Sequence, residues 1–237
     1  MSLSDFHFRL NGDSAITLIF EDKISKSLTK NILILKNTII HANDLPRLID
    51  IIPAYQSLTL CYAYPIKNVK TIENQISNII ANIVLSDRPT ALKKQKVINI
   101  PVCYEDTYAP DLKMLASELK MTTNQLIKKH TDGIYLVHML GFLPGFLYLG
   151  GLDESLHYPR KKTPSINLAK GSIGIGGQQT GIYPIESPGG WNIIGRTPLT
   201  MFDVDKEKIT IAEPLDSIKF YSISSAEFIK FNIQSQN

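Results

Sequence analysis

Hydrophobic positions in the N-terminal half of the chain switch between the alternation typical of strands and the spacing typical of helices. Asn11-Gly12-Asp13 is a hairpin-type turn between the first two strands. The order is β-α-β-β-α-β with an extra N-terminal hairpin, which predicts a ferredoxin-like sandwich. The predicted strands are Phe6–Leu10, Ala15–Phe20, Leu48–Tyr55, Leu58–Tyr64 and Val97–Val102, and the helical faces carry Ile24, Leu28, Ile32 and Leu35, then Ile72, Ile76, Ile79, Ile80 and Ile83.

The C-terminal half begins with two predicted helices and continues as short strands. One helix covers Asp111–Lys120, and Thr122 and Gln125 fit a capping box at the start of the next. A strand follows at Ile134–Met139, after which glycine and proline interrupt the apolar runs, as in a barrel. Twelve of the fourteen glycines lie in the window 141–195, so this window is predicted to be turn-rich β structure.

Together the two halves predict an α+β protein of two domains. Residues 1–90 form the ferredoxin-like N-terminal domain, and residues 91–237 form the barrel domain. The polar segment Asp87–Lys96, which contains Pro89, is the predicted linker.

Composition and charge exclude several classes of function. The net charge is only +3 and the basic residues are scattered, so no stripe for nucleic acid is predicted. The tightest basic cluster, Arg160-Lys161-Lys162, is either a solvated turn or an anion site. Cys61 and Cys103 lack metal or redox spacing, so no metal is expected. Without an export signal or an apolar run long enough to span a bilayer, the chain is expected to be cytoplasmic and free of membrane partners.

The glycine-rich window is the main candidate for a binding site. It contains neither a Walker A loop nor a complete dinucleotide fingerprint. Uncovered glycine N–H groups could converge on an anion or an oxyanion. Gln179 could pair with an amide, Thr180 and Tyr183 offer hydroxyls, and Arg160 and Arg196 could grip a carboxylate or phosphate. The alternative is that these glycines only turn tight barrel corners.

The histidines and nearby acids are weaker candidates. His138 lies in an apolar stretch, where a satisfied core residue is predicted in preference to a general base. His130 ends a predicted helix, where a cation interacts favourably with the helix dipole. Trp191, the only tryptophan, is predicted to pack in the core. Further residues, each either a general base or a solvated loop residue, are His157, Asp153, Glu154 and Glu186.

Three motifs in this order resemble the family of 5-oxoprolinase B-type subunits, which also covers proteins called allophanate hydrolase subunit 1 and sporulation-kinase inhibitor. The motifs are Gly141-Phe142-Leu143-Pro144-Gly145-Phe146-Leu147-Tyr148-Leu149-Gly150-Gly151-Leu152, Gln179-Thr180-Gly181-Ile182-Tyr183-Pro184, and Ser187-Pro188-Gly189-Gly190-Trp191 followed by Ile194-Gly195-Arg196-Thr197-Pro198. Smaller matches at Gly12–Ala15, Pro53–Ser57, Asp111-Leu112 and His130 extend the resemblance to nearly the full chain.

The resemblance implies an N-terminal α/β domain and a C-terminal cyclophilin-like barrel. It implies a close complex with a homologue of the 5-oxoprolinase C-type subunit, a separate A-type subunit, and ATP, with or without Mg²⁺, as the source of energy for opening 5-oxoproline to glutamate. The catalytic candidates are Gln179, Arg160, Tyr183 and Thr180. The residues predicted to contact ATP are Gly145, Phe146, Gly176, Gly177, Gly181, Pro184, Gly189, Gly190 and Arg196.

One departure from the family pattern affects the predicted site. The first Pro159-Arg160 of a Pro-Arg-x-x-x-Pro-Arg motif is present, but Ser165 replaces the second arginine, and Leu168-Ala169-Lys170 stands where Val-Pro-Ala is expected. Lys161, Lys162 or Lys170 could restore the charge but not the bidentate geometry.

Two other functions fit the same resemblance. One is an amidohydrolase component that acts on allophanate or another urea-derived substrate, and the other is a non-catalytic inhibitor of a sporulation histidine kinase. If the chain is a 5-oxoprolinase component, we expect it to be inactive without its partner.

Overall fold

The computed structural model describes residues 6–21, 23–42, 45–85 and 94–234. The chain divides into two compact units, Met1–Lys94 and Gln95–Asn237. Most of the predicted linker, Asp87–Lys96, lies outside the described residues.

The first unit is a four-stranded antiparallel sheet with two helices packed on it. Its sheet order is β1-β2-β4-β3. Alternate strand residues such as Ile16, Leu18 and Leu60 are fully buried against the helices, which contribute Ile32 and Ile76 to the same core. The elements of this unit are β1 (Phe6–Asn11), β2 (Ala15–Phe20), α1 (Lys26–Ala42), β3 (Leu48–Pro53), β4 (Ser57–Tyr62) and α2 (Val69–Leu85).

The strand that completes this sheet differs from the one that the sequence order indicated. The strand predicted at Val97–Val102 pairs in the second unit instead. Strand β1 takes the sheet edge beside β2, through the hairpin in which Asn11 pairs with Ala15. A short hairpin closes with little loss of chain entropy, so this local pairing is favoured.

The second unit is built around a closed barrel of seven strands in the order β10-β7-β6-β13-β5-β12-β9. A separate two-stranded ribbon is formed by β11 and β8. The elements are β5 (Val97–Cys103), α3 (Leu112–Glu118), α4 (Thr123–Asp132), β6 (Tyr135–Leu140), β7 (Leu147–Gly150), a 3-10 turn (Glu154–Leu156), β8 (Ser165–Leu168), β9 (Ser172–Gly176), β10 (Gln179–Ile182), β11 (Ser187–Gly189), β12 (Asn192–Arg196), β13 (Ser217–Ile223) and α5 (Ser225–Gln234).

The predicted α+β class with a C-terminal barrel is confirmed. The capping box is also confirmed, because the Thr122 hydroxyl accepts from the Gln125 N–H at 3.2 Å and the Gln125 side chain accepts from the Thr122 N–H at 2.8 Å. The main core of the second unit joins barrel residues such as Val102, Leu149 and Ile175. In the described part of the chain, no helix is long and apolar enough to cross a membrane.

Candidate functional site

The glycine-rich strands provide a flat seat for the indole ring of Trp191. A Cβ atom on Gly176 would lie 2.7 Å from Cδ1 and Nε1 of Trp191, and one on Gly181 would lie 2.9 Å from its Cζ3. Gly174, which pairs with Gly181, would place a Cβ 2.9 Å from the Trp191 Cβ. These three glycines therefore serve close packing of the ring. Trp191 is 4% exposed, which confirms its predicted place in the core.

Trp191 packs in one apolar cluster with three further aromatic rings. Phe146 lies edge-on to Trp191 at 5.5 Å between ring centroids, and Tyr148 at 6.1 Å. Tyr183 meets Phe146 edge-on at 5.0 Å. Edge-to-face pairs at these distances are favourable. We call Trp191, Phe146, Tyr148 and Tyr183 the Trp191 cluster.

Arg160 covers the Trp191 cluster from the solvent side. Its Cζ atom lies 5.7 Å from the centroid of the Trp191 ring, within the range of a cation–π interaction. Burial raises the pKa values of Tyr148 and Tyr183, and the charge of Arg160 offsets only part of this effect. Both phenols therefore stay protonated at neutral pH and can donate hydrogen bonds.

Gln179 and Arg160 come from segments that the fold brings together. An isolated β-bridge joins Tyr158, two residues before Arg160, to Gly177, two residues before Gln179. Gln179 is half-buried at the start of β10, and Arg160 is exposed. The Gly177 N–H donates to the Tyr158 carbonyl at 2.7 Å, so this amide is used within the fold.

An ion pair fixes the segment that carries Arg160. Lys161 Nζ lies 2.6 Å from Asp111 Oδ2, and the same oxygen accepts from the Ile193 N–H at 2.6 Å. The Lys161 N–H donates to the Gly190 carbonyl at 2.7 Å, and its ammonium donates to the Ser165 hydroxyl at 3.2 Å. Lys161 therefore reaches the position of the missing arginine, but Asp111 offsets its charge.

Several other residues predicted to contact ATP lie near the Trp191 cluster, and most of them are more buried than Arg160 and Gln179. Phe146 is 1% exposed and Pro184 is buried. A Cβ on Gly189 would lie 2.5 Å from the Tyr183 hydroxyl oxygen, whereas one on Gly190 would meet nothing nearer than 3.8 Å. Gly145 has φ of +82°, and a Cβ there would lie 2.5 Å from the Phe202 Cβ.

Thr180 lies inside the barrel, away from the Trp191 cluster. Its hydroxyl donates to the Gly174 carbonyl at 3.1 Å and contacts His130 Nε2 at 3.1 Å. The other ring nitrogen of His130 contacts the Tyr104 hydroxyl at 2.8 Å. Since the Thr180 proton is committed to Gly174, His130 donates through Nε2 and accepts from Tyr104 through Nδ1.

The prediction that His130 acts as a helix-terminal cation is wrong. The side chain is fully buried, and its desolvation lowers the pKa to about 3. A neutral ring stacked on Phe220 at 4.6 Å fills the core instead. The core assignment of His138 is confirmed, because it is 8% exposed and burial lowers its pKa.

Arg196 lies apart from Arg160. Its Nε donates to the Lys170 carbonyl at 2.8 Å, and its guanidinium lies over the Phe228 ring at 5.8 Å. Asn192, at the other end of β12, donates to the Pro159 carbonyl beside Arg160. Asn192 and Arg196 are four residues apart in β12, which corresponds to roughly 13 Å along a strand. Arg160 and Arg196 therefore lie near opposite ends of β12.

Two of the candidate acids, Asp153 and Glu186, and the loop histidine have local partners, while the third acid, Glu154, lies in the 3-10 turn and is exposed. Asp153 accepts from the Ser155 N–H at 2.9 Å and pairs with Lys129 at 3.2 Å. His157 contacts the Leu152 carbonyl. Asn167 donates to Glu186 at 2.6 Å. Within the described ranges, no group of three or more His, Cys, Asp or Glu residues could hold a metal ion.

Sequence reasoning missed two parts of this arrangement. The Asp111–Lys161 pair joins residues that are far apart in sequence. The only sequence feature that pointed to it was the acidic residue Asp111 at the start of a predicted helix. Tyr148 was visible as part of a motif, but its place in the Trp191 cluster depends on the pairing of β7 with β10, which sets Tyr148 opposite Gly181.

Comparison with known proteins identifies the family. The carboxyltransferase domain family, subdomain C and D, matches residues 6–212. The chain is 34% identical to the 5-oxoprolinase B-type subunit of Bacillus subtilis, over 94% of this chain and 95% of the relative. It is also 34% identical to the corresponding Escherichia coli protein, over 89% of this chain and 93% of the relative.

The chain belongs to the family of 5-oxoprolinase B-type subunits. This confirms the resemblance recognised in the glycine-rich motifs. A more distant relative is the urea amidolyase of Lachancea kluyveri, which is 26% identical over 63% of this chain and 9% of the relative.

Solved structures share the fold of this 5-oxoprolinase family member. The TTHA0988 structure has a TM-score of 0.73 at 28% identity, and the match covers 89% of this chain and 40% of that longer chain. The Kluyveromyces lactis urea amidolyase has a TM-score of 0.80 at 20% identity, covering 97% of this chain and 16% of the other. At that identity the second likeness supports the fold alone.

Proposed function

We propose that this chain is the B component of an ATP-dependent 5-oxoprolinase that opens 5-oxoproline to glutamate. The observation that carries the proposal is the 34% identity to a 5-oxoprolinase B-type subunit along almost all of both chains. We place this activity in the cytoplasm, where reducing conditions keep Cys61 and Cys103 as free thiols.

The surface formed by Arg160, Gln179 and the Trp191 cluster is our candidate for the reaction site. The exposed guanidinium of Arg160 can hold a carboxylate or phosphate through two parallel hydrogen bonds. The Trp191 ring beneath it restricts its position. Gln179 can donate to a carbonyl and accept from an N–H, which matches both sides of a lactam.

The positive charges on this surface are too few to balance all the phosphate charges of a nucleoside triphosphate. In the segment 159–165, Arg160 and Lys162 are exposed, while Lys161 is paired with Asp111. Phosphoryl transfer needs several positive groups around the phosphates, with Mg²⁺ held mainly by phosphate oxygens. We therefore propose that a homologue of the C-type subunit completes the ATP site and that an A-type subunit works in the same enzyme.

The chemistry explains the need for ATP. A lactam carbonyl is a poor electrophile, so transfer of the γ-phosphoryl group to its oxygen, with release of ADP, activates the ring carbon. Water then adds to this carbon, and the C–N bond breaks to give the free amine and an acyl phosphate. A second water molecule hydrolyses the acyl phosphate, which releases inorganic phosphate and leaves the new carboxylate. Protonated Tyr148 and Tyr183 provide donor groups near Arg160 that could stabilise developing negative charge.

The test is reconstitution with homologues of the C-type and A-type subunits, followed by measurement of glutamate formed from 5-oxoproline. We expect ATP-dependent glutamate formation by the complex and none by the isolated chain. Failure of the fully assembled complex to form glutamate, or full turnover by this chain alone, would contradict the proposal.

Variants of the complex locate the site. We expect Arg160→Ala and Gln179→Ala to lower turnover at least roughly tenfold without lowering the melting temperature. Lys128→Ala is the matched surface control, since Lys128 is 74% exposed on α4. Near-wild-type kinetics for both site variants would remove these residues from the mechanism.

The relationship to urea amidolyase supports a second candidate, an amidohydrolase component for allophanate or a similar urea-derived substrate. The same reconstituted complex can be offered allophanate, with ammonia release as the measurement. Hydrolysis of allophanate with no turnover of 5-oxoproline would favour this second function over the first.

A further inference from the structure

The first unit contains a cavity that the proposed reaction does not use. Its volume is about 430 Å³, within the range of small-molecule pockets. Its walls come from the segment after α1, the segment after β4, and the first turns of α2. Main-chain hydrogen bonds fix two walls, because the Ala63 N–H donates to the Arg47 carbonyl at 2.9 Å and the Ile66 N–H donates to the Asp13 carbonyl at 2.7 Å.

Within the described part of the chain, the buried hydroxyl of Tyr62, a residue that lines this cavity, has no hydrogen-bond partner. Tyr62 lines the cavity and is only 7% exposed, and among the described residues nothing accepts a hydrogen bond from its hydroxyl. Burial raises the pKa of Tyr62 to about 12, so the group keeps its proton at neutral pH. A buried donor without an acceptor is destabilising, and a ligand that supplies an acceptor would remove this cost.

The residues that line the cavity favour an anion with an apolar body. Arg47 and Lys67 provide positive charge, and the N-terminal end of α2 adds the positive end of a helix dipole. Arg47 is held over the Tyr64 ring at 5.3 Å. Ile66 and Ile72 make part of the lining apolar.

We propose that this cavity binds a small organic carboxylate, whose charge is met by Arg47 and Lys67 and which accepts a hydrogen bond from Tyr62. This site lies wholly within the first unit and does not depend on the proposed 5-oxoprolinase activity. Its ligand is recognised by a negative head group, an apolar body and an acceptor for the tyrosine hydroxyl.

The binding test uses the full chain and para-trifluoromethylbenzoate, followed by fluorine NMR. We expect saturable binding that Arg47→Gln weakens roughly tenfold or more, as for loss of a charged hydrogen bond. The neutral para-trifluoromethylbenzyl alcohol should bind more weakly by a similar factor. Arg160→Gln should leave the affinity unchanged, which separates this site from the reaction surface.

The tyrosine test distinguishes a binding role from a structural one. We expect Tyr62→Phe to weaken benzoate binding at least fivefold while leaving the melting temperature of the free chain unchanged or higher. Tyr64→Phe is the control on the same wall, since Tyr64 is 61% exposed, and it should alter neither.

Several outcomes would overturn the proposal. These are absence of saturable benzoate binding, equal affinity for the neutral alcohol, or unchanged affinity in both Arg47→Gln and Tyr62→Phe. Binding of inorganic phosphate in preference to the carboxylate would overturn the carboxylate assignment.

Discussion

Gly176→Ala tests whether the glycine-rich strands exist to seat Trp191. The new methyl carbon would lie 2.7–2.8 Å from three atoms of the indole ring. Carbon atoms in contact prefer about 3.5–4.0 Å, so the ring must move by about 1 Å. Overpacking of this kind typically costs about 1–3 kcal/mol, or a fall in melting temperature of roughly 2–12 °C for a chain of this length.

Trp191 itself reports the change, because it is the only tryptophan in the chain. We expect Gly176→Ala to shift its emission to longer wavelength and to lower the midpoint of a fluorescence-monitored thermal transition. Gly190→Ala is the matched control, since a Cβ there meets nothing nearer than 3.8 Å. Unchanged emission and stability in Gly176→Ala, or an equal loss in Gly190→Ala, would refute the packing argument.

Three further predictions concern polar groups that are buried or half-buried. Asp111→Ala should destabilise the chain more than Lys161→Ala does, because it also leaves the Ile193 N–H without its acceptor, and chemical denaturation of the two variants compares them. Thr180→Val should cost about 1–3 kcal/mol in the same assay while Thr180→Ser costs less; equal losses would contradict the role of the hydroxyl. The folded pKa of His130, about 3, lies below its ordinary 6.5, so its contribution to stability is complete above pH 6.5 and is lost as the pH falls toward 3. The loss approaches about 1.4 kcal/mol per pH unit, and His130→Gln should remove that component from the pH dependence of unfolding. An unchanged pH dependence in this variant would show that His130 is not the titrating group.

Much of the secondary structure depends on residues close in sequence and was predictable for that reason. The turn at Asn11-Gly12-Asp13 fixes the first hairpin, and the Thr122–Gln125 capping box fixes the start of α4. Amphipathic spacing was sufficient for α1 and α2, because one helix face packs on the sheet.

The barrel depends on pairings that local pattern does not contain. Strand Val97–Cys103 was visible, but its parallel pairing with Ser217–Ile223 joins segments far apart in the chain. The sequence order therefore assigned this strand to the N-terminal pattern, whereas β1 takes that sheet edge.

For the candidate site, too, one part was predictable from local motifs and another part depends on strand pairing. The motifs pointed to the window that carries Arg160, Gln179 and Trp191, but the predicted use of exposed glycine amides does not hold at Gly177, whose N–H bonds within the fold. Strand register decides which ring faces which glycine, and register is a property of the folded sheet.

By itself, then, the sequence determined the family and the α+β class with a C-terminal barrel, and it pointed to the segment that holds the candidate site, because motifs and periodicity are local. Only the tertiary structure decided that Thr180 and His130 lie in the barrel core, and that the loop carrying Arg160 lies near one end of β12 while Arg196 lies at the other. Burial and distance between remote residues arise when strands pair, so no single segment carries that information.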